Sequence, residues 1–182
     1  ADIGIGSLNI NGPSYVSKHA DQDSLNFIAP VAIFNYQFKK IRADEVPFIE
    51  IGDSYIFPSG GKVEILERAL MSPLRMAKIM ANNTSRYYNL YNADLEISSR
   101  NYFHGSAMCD YIDENGNIYP FLLSSVDVSD ALETRGTGMI EDLDGFMLSP
   151  YMEYMGEIKL NAQHPLFNFS GGVRLPHACD ID

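Results

Sequence analysis

Four short runs of the chain place chemistry-bearing side chains close together. Asp113, Asn115 and Asn117 alternate as oxygen ligands do at the start of a calcium loop. Such a loop needs Gly at the next position and a bidentate Glu at the twelfth, where this chain has Ile118 and Ser124. The same run reads better as a hairpin turn, because Asn115-Gly116 supplies the left-handed residues that a tight reversal requires. Glu141-Asp142-Leu143-Asp144 gathers carboxylates that would attract a divalent cation, and it equally suits a solvated strand end or the approach to a helix. Cys109 and His104 are a thiol and an imidazole, the makings of a nucleophile and its base. Five positions apart on one strand they point to opposite faces, so they meet only if the chain bends at Gly105. His164 and His177 are alternative bases, but nothing in the sequence brings either near the thiol. Gly60-Gly61 and Gly136-Thr137-Gly138 are too sparse for a phosphate cradle, since neither carries the Lys-Ser/Thr of a P-loop. These readings assign no catalytic, cofactor-binding or metal-binding residue and no cofactor, and they lean away from an enzyme.

The elements that would hold these residues are organised by an internal repeat. Residues 49–73, IEIGDSYIFPSGGKVEILERALMSP, align without a gap on residues 126–150, VDVSDALETRGTGMIEDLDGFMLSP, in a register fixed by Ser72-Pro73 against Ser149-Pro150. The alignment superposes Asp53 on Asp130, Gly61 on Gly138 and Glu64 on Glu141. Weaker matches extend it to two copies of about half the chain each, 1–92 and 93–182, the first carrying an inserted polar loop at about 11–24. Strands are expected around Asp2–Gly6, Leu25–Phe38 with a break at Pro30, Val46–Phe57, Lys62–Leu66, Asn101–Ile112 and Ile118–Val128. Gly136–Gly138 and Gly171-Gly172 read as turns. Ser72 and Pro73 form a good helix start, as N-cap and first-turn residue, and Leu74, Ala77 and Ala81 follow as an apolar stripe. The second Ser-Pro pair is followed by so short a run before Gly156 that its helix is either brief or replaced by a strand. The expected fold is therefore α+β: a β-rich tandem duplication, each copy an antiparallel β-meander plus one short helix, packed with pseudo-two-fold symmetry.

Composition narrows the functional classes. A formal charge of −11 with no basic run argues against phosphate-backbone binding, so no direct nucleic-acid contact is expected. No apolar run approaches the roughly 18 residues of a membrane span. A start at Ala1-Asp2 fits signal cleavage and initiator removal alike, and a Cys109–Cys179 disulfide would mark an oxidising compartment, so localisation is left unknown, with a virion and an extracytoplasmic setting both admitted. The expected function is a non-enzymatic structural or assembly protein, a homo-oligomer that self-associates through β-rich surfaces, as in a virion or tail-type component. The alternative is a secreted or periplasmic small-ligand-binding protein with a pocket between the repeats lined by Tyr87, Tyr88, Tyr91, Tyr151 and Tyr154. A hydrolase using Cys109 or a carboxylate is a third reading.

Overall fold

The computed structural model describes residues 13–175 and the backbone of Asp2–Ile5. Sixteen strands are named in chain order. They are β1 (Asp2–Ile5), β2 (Pro13–Val16), β3 (Asn26–Ile28), β4 (Val31–Asn35), β5 (Lys40–Asp44), β6 (Ile49–Ile51), β7 (Ser54–Phe57), β8 (Val63–Ile65), β9 (Leu74–Ala81), β10 (Tyr88–Ser99), β11 (Tyr102–Ile112), β12 (Ile118–Val128), β13 (Thr134–Ile140), β14 (Met147–Ser149), β15 (Met152–Asn161) and β16 (Asn168–Arg174). Thirteen form one antiparallel sheet in the order β1-β2-β3-β6-β7-β9-β10-β11-β12-β13-β15-β14, with β16 also paired to β15. The remaining strands form a separate three-stranded sheet, β4-β5-β8.

The α+β expectation is overturned. Strands make up 60% of the structure and helical turns 7%, and no helix reaches seven residues. The run after Ser72-Pro73 is strand β9, hydrogen-bonded between β7 and β10. Its residues are good helix formers, but β10 pairs with it from Leu74 to Ala81 and β7 from Lys78 to Met80, and tertiary pairing overrides propensity. Leu74, Ala77, Ile79 and Ala81 are buried, and Met76 takes a left-handed conformation (φ 53°) between Leu74 and Ala77. That irregularity shifts the buried phase by one residue and keeps one face of the strand on the core. β10 does the same. Tyr88 and Leu90 are buried before left-handed Asn92, and Ala93, Leu95 and Ile97 after it. The second Ser-Pro pair likewise leads into a strand, β15.

Several other expectations change. Polar residues 11–24 are not simply an exposed loop. Pro13–Val16 is a strand between β1 and β3, and Tyr15, Ser17 and Gln22 are buried. The glycines expected to make turns at Gly136–Gly138 and Gly171-Gly172 lie inside β13 and β16, where Gly138 and Gly171 let neighbouring backbones come close. Pro30 does break its run, sending β3 into the large sheet and β4 into the small one.

The aligned blocks of the two copies share an outline. In each, a strand leads into a hairpin, and a later strand returns beside the hairpin's second strand after a 3-10 turn: β6-β7-β9 in one, β12-β13-β15 in the other. Within that outline the loops differ. Gly52-Asp53 alone close the first hairpin and 129–133 the second, so Gly61 lies in a 3-10 turn whereas Gly138 is in a strand. The join at 92/93 falls inside β10, at its bulge.

The long sheet curls on itself. Asp53, in the β6–β7 turn, accepts hydrogen bonds at Oδ1 from the Thr134 amide (3.0 Å) and hydroxyl (2.6 Å), although β7 and β13 are far apart in strand order. Ser54 and Thr134 hydroxyls are 2.6 Å apart, and Ser85 donates to the Ala162 carbonyl. Inside the curl lies one continuous core, including Leu25, Ile49, Ile79, Leu95, Phe103 and Ile158. At its C-terminal side the core is aromatic, with Phe146 within ring-contact distance of Tyr111, Phe121, Tyr154 and Phe169.

Candidate functional site

Among the described residues the β4–β5 hairpin carries five exposed large apolar side chains, Val31, Ile33, Phe34, Tyr36 and Phe38. Its strands pair from Val31↔Asp44 to Asn35↔Lys40. Asn35 forms the turn by accepting at Oδ1 from the amides of Gln37 (3.0 Å) and Phe38 (3.1 Å), and Lys39 closes it in a left-handed conformation. All five β4 residues are exposed. Val31 and Ile33 point to the outer face by strand alternation, and Tyr36 and Phe38 at the tip are 84% and 65% exposed. Phe34, on the opposite face of β4 from Val31 and Ile33, packs edge-on against Tyr36 of the tip with ring centroids 4.7 Å apart.

Electrostatics divides this hairpin lengthwise. Lys40 pairs with Glu64 of β8 at 2.9 Å and Lys39 with Glu67 of the adjoining 3-10 turn at 3.0 Å, while Arg42 pairs with Asp44 at 2.9 Å within β5, across from Ile33 and Val31. β4 itself bears no charge. It is the outermost strand of its sheet, and among the described residues none pairs with its free edge. An uncharged apolar edge with open backbone groups is the surface that proteins normally protect with Lys, Pro or a bulge. A second exposed apolar patch lies at the distant end of the β11–β12 hairpin, where Ile112 and Ile118 face each other across the strands and Leu122 and Met139 continue the surface.

The chemistry-bearing runs go elsewhere. Asp113 is the hub of the β11–β12 turn: Oδ1 accepts from the Asn115 (2.9 Å) and Asn117 (2.8 Å) amides, and Oδ2 from the Asn117 side chain (2.8 Å). These bonds, that from the Asn117 side chain foremost, hold its pKa below the usual value. Glu141–Asp144 closes a 3-10 turn, where Asp144 accepts from the Glu141 amide at 2.7 Å and Asp142 pairs with Arg174 at 2.9 Å. Among the described residues no group of three or more His, Cys, Asp or Glu side chains is arranged to hold a metal ion.

Cys109 and His104 are not brought together. Cys109 is buried, its thiol pushed up to about 12 by burial first and the Asp110 charge second, so it carries almost no thiolate at neutral pH. His104 faces solvent across from Glu96 at 3.6 Å. His164 sits in the turn after β15, its amide donating to the Asn161 carbonyl, and Cys179 and His177 lie outside the described residues. The tyrosines expected to line one pocket are dispersed as well. Tyr88 and Tyr154 are buried, Tyr87 and Tyr151 face solvent, and Tyr91 donates to Asp110 at 2.7 Å.

Sequence reasoning missed the Asp53–Ser54–Thr134 cluster as a tertiary contact. Asp53 stood out as a repeat position, but a turn aspartate gives no sign of a partner eighty residues away. Compared with known protein families, curated proteins and solved structures, the chain matches none.

Proposed function

We propose that the protein is a non-enzymatic assembly subunit that self-associates through the free edge of β4. The observation that carries this reading is an uncharged apolar edge strand, Val31–Asn35, exposed along its whole length and extended by Tyr36 and Phe38. A strand of this kind gains backbone hydrogen bonds and apolar burial together when another strand is added beside it. The second patch, around Ile112, Ile118 and Leu122, is a different surface on a different part of the sheet. Two unlike apolar surfaces on one subunit favour head-to-tail contacts, which close into rings or run on as tubes. A virion or tail-type component fits, since the net charge of −11 would keep the assembled wall from adhering to nucleic acid.

Light scattering on the purified chain tests the proposal. The expected result is an oligomer that grows with concentration and does not respond to reductant. Ile33→Lys, which puts a charge on the edge without touching the core, should reduce it to a monomer with an unchanged far-ultraviolet spectrum. A wild-type chain that stays monomeric over a wide concentration range would defeat the reading.

A further inference from the structure

Where the small sheet crosses the large one, the two do not close on each other. Between them lies a chamber of about 280 Å³ lined by Phe27, Ala29, Ala32, Phe34, Ala43 and Ile65 among others. It opens into an outer cleft of about 490 Å³ that shares Tyr15, Phe34, Ile41 and Ile65 with it. The chamber owes its size to small side chains: Ser14, Ala29, Ala32 and Ala43 stand where bulkier residues would bring the sheets together. Protein interiors are close-packed, with few voids larger than a water molecule, and an engineered apolar cavity of about 150 Å³ already accepts benzene. A larger one kept open by small residues has the character of a binding chamber.

The mouth has the opposite chemistry. Lys18, His19, Lys39 and Arg68 line the outer cleft, and no carboxylate does, on a protein that is strongly acidic as a whole. Lys39 is engaged by Glu67 and His19 lies 3.7 Å from Asp21, but Arg68 makes no ion pair or side-chain hydrogen bond among the described residues. Arg68 and Ala69 are consecutive left-handed residues (φ 59° and 61°), a strained arrangement for side chains other than glycine. Gln22, itself buried, holds them there by donating from Nε2 to the Ala69 carbonyl at 2.7 Å. A distorted and anchored backbone thus places at the mouth of an apolar chamber a guanidinium that is unpaired among the described residues, a setting that suits an anion with an apolar tail.

We infer that this cleft binds an amphipathic carboxylate, the straight hydrocarbon chain lying between the two sheets and the carboxylate held at the mouth by Arg68, with Lys39 and His19 beside it. The site is separate from the outer face of β4 used for assembly, because Ala32 and Phe34 point into the cleft whereas Val31 and Ile33 point away.

Calorimetric titration of the full chain with saturated carboxylates from octanoate to dodecanoate, and with decanol, tests this. It is done on the Ile33→Lys variant as well as the wild type, so that assembly and binding are read separately. Affinity should rise roughly three- to fourfold per added methylene until the chamber is filled. Decanoate should bind at least tenfold more tightly than decanol, and Arg68→Gln should remove that preference while leaving decanol unchanged. Ala32→Phe, which fills the chamber from an exposed strand, should abolish both. No binding of any probe, equal binding of acid and alcohol, or full binding by a folded Ala32→Phe variant would each overturn the inference. If Ala32→Phe does not fold, the Arg68→Gln comparison decides.

Discussion

Asp53 and Thr134 show how much a few polar atoms can do when they sit at a closure point. Thr134 is fully buried, and its hydroxyl serves both Asp53 and Ser54. Thr134→Val keeps the shape and removes the hydroxyl, leaving the Ser54 hydroxyl without that partner and Asp53 with one donor fewer. Equilibrium urea unfolding should show the variant less stable by roughly 1–3 kcal/mol. Asp113 gives a pH dependence of known sign. Its folded pKa is depressed below the ordinary 3.8, so its contribution is present above that value and is lost as pH falls through the lower, folded one. Asp113→Asn should lower stability at neutral pH and flatten the acid limb of stability against pH; an unchanged acid limb would show that the turn carboxylate is not the titrating group.

At the scale of the element, the sequence showed strands well and their irregularities poorly. The β11–β12 hairpin was legible because Asn115-Gly116 is a local signal that needs no partner. β9 was not, and its bulge explains why. A bulge that keeps one face buried moves the apolar residues from a spacing of two to a spacing of three, and Leu74 followed by Ala77 then looks like a helical step. The same spacing recurs at Leu90 and Ala93 and at Leu123 and Val126, each beside a register shift. Glycines misled for a related reason, since a close approach between strands uses the same residue as a turn. Gly171 faces Gly156, whose φ is 140°, and a Cβ on Gly171 would strike the Met155 carbonyl. Gly171→Ala should therefore unseat β16 from β15, with a loss of roughly 1–3 kcal/mol and faster amide exchange confined to Asn168–Arg174. The candidate site was half legible: the apolar run of β4 is plain in the sequence, but the cleft beneath it exists only once two sheets are stacked.

For the whole molecule, strand pairing runs across the join of the two copies, which leads us to expect the sheet rather than the repeat to be the unit of stability. β10 spans the join between the halves, and both β9 and β11 depend on it for pairing. The Asp53–Thr134 contact and the common core tie the same halves together a second time. Residues 1–92 and 93–182 expressed apart should each lack a cooperative unfolding transition, while the full chain should show one. A half that melts cooperatively by itself would mean that the repeat, not the sheet, sets the folding unit.

From β9 to β13 the order of strands across the sheet is the order in which they are synthesised, and β15 takes the next place with β16 on its far edge. Each strand from β10 through β13 finds its partner in the strand just completed, so the loops that must close are short and the entropy lost at each step is small. The ribosome can thus lay this part of the sheet down like courses of brick, one open edge advancing with the chain. The closures between Asp53 and Thr134 and between Ser85 and Ala162 must wait until the second half has emerged.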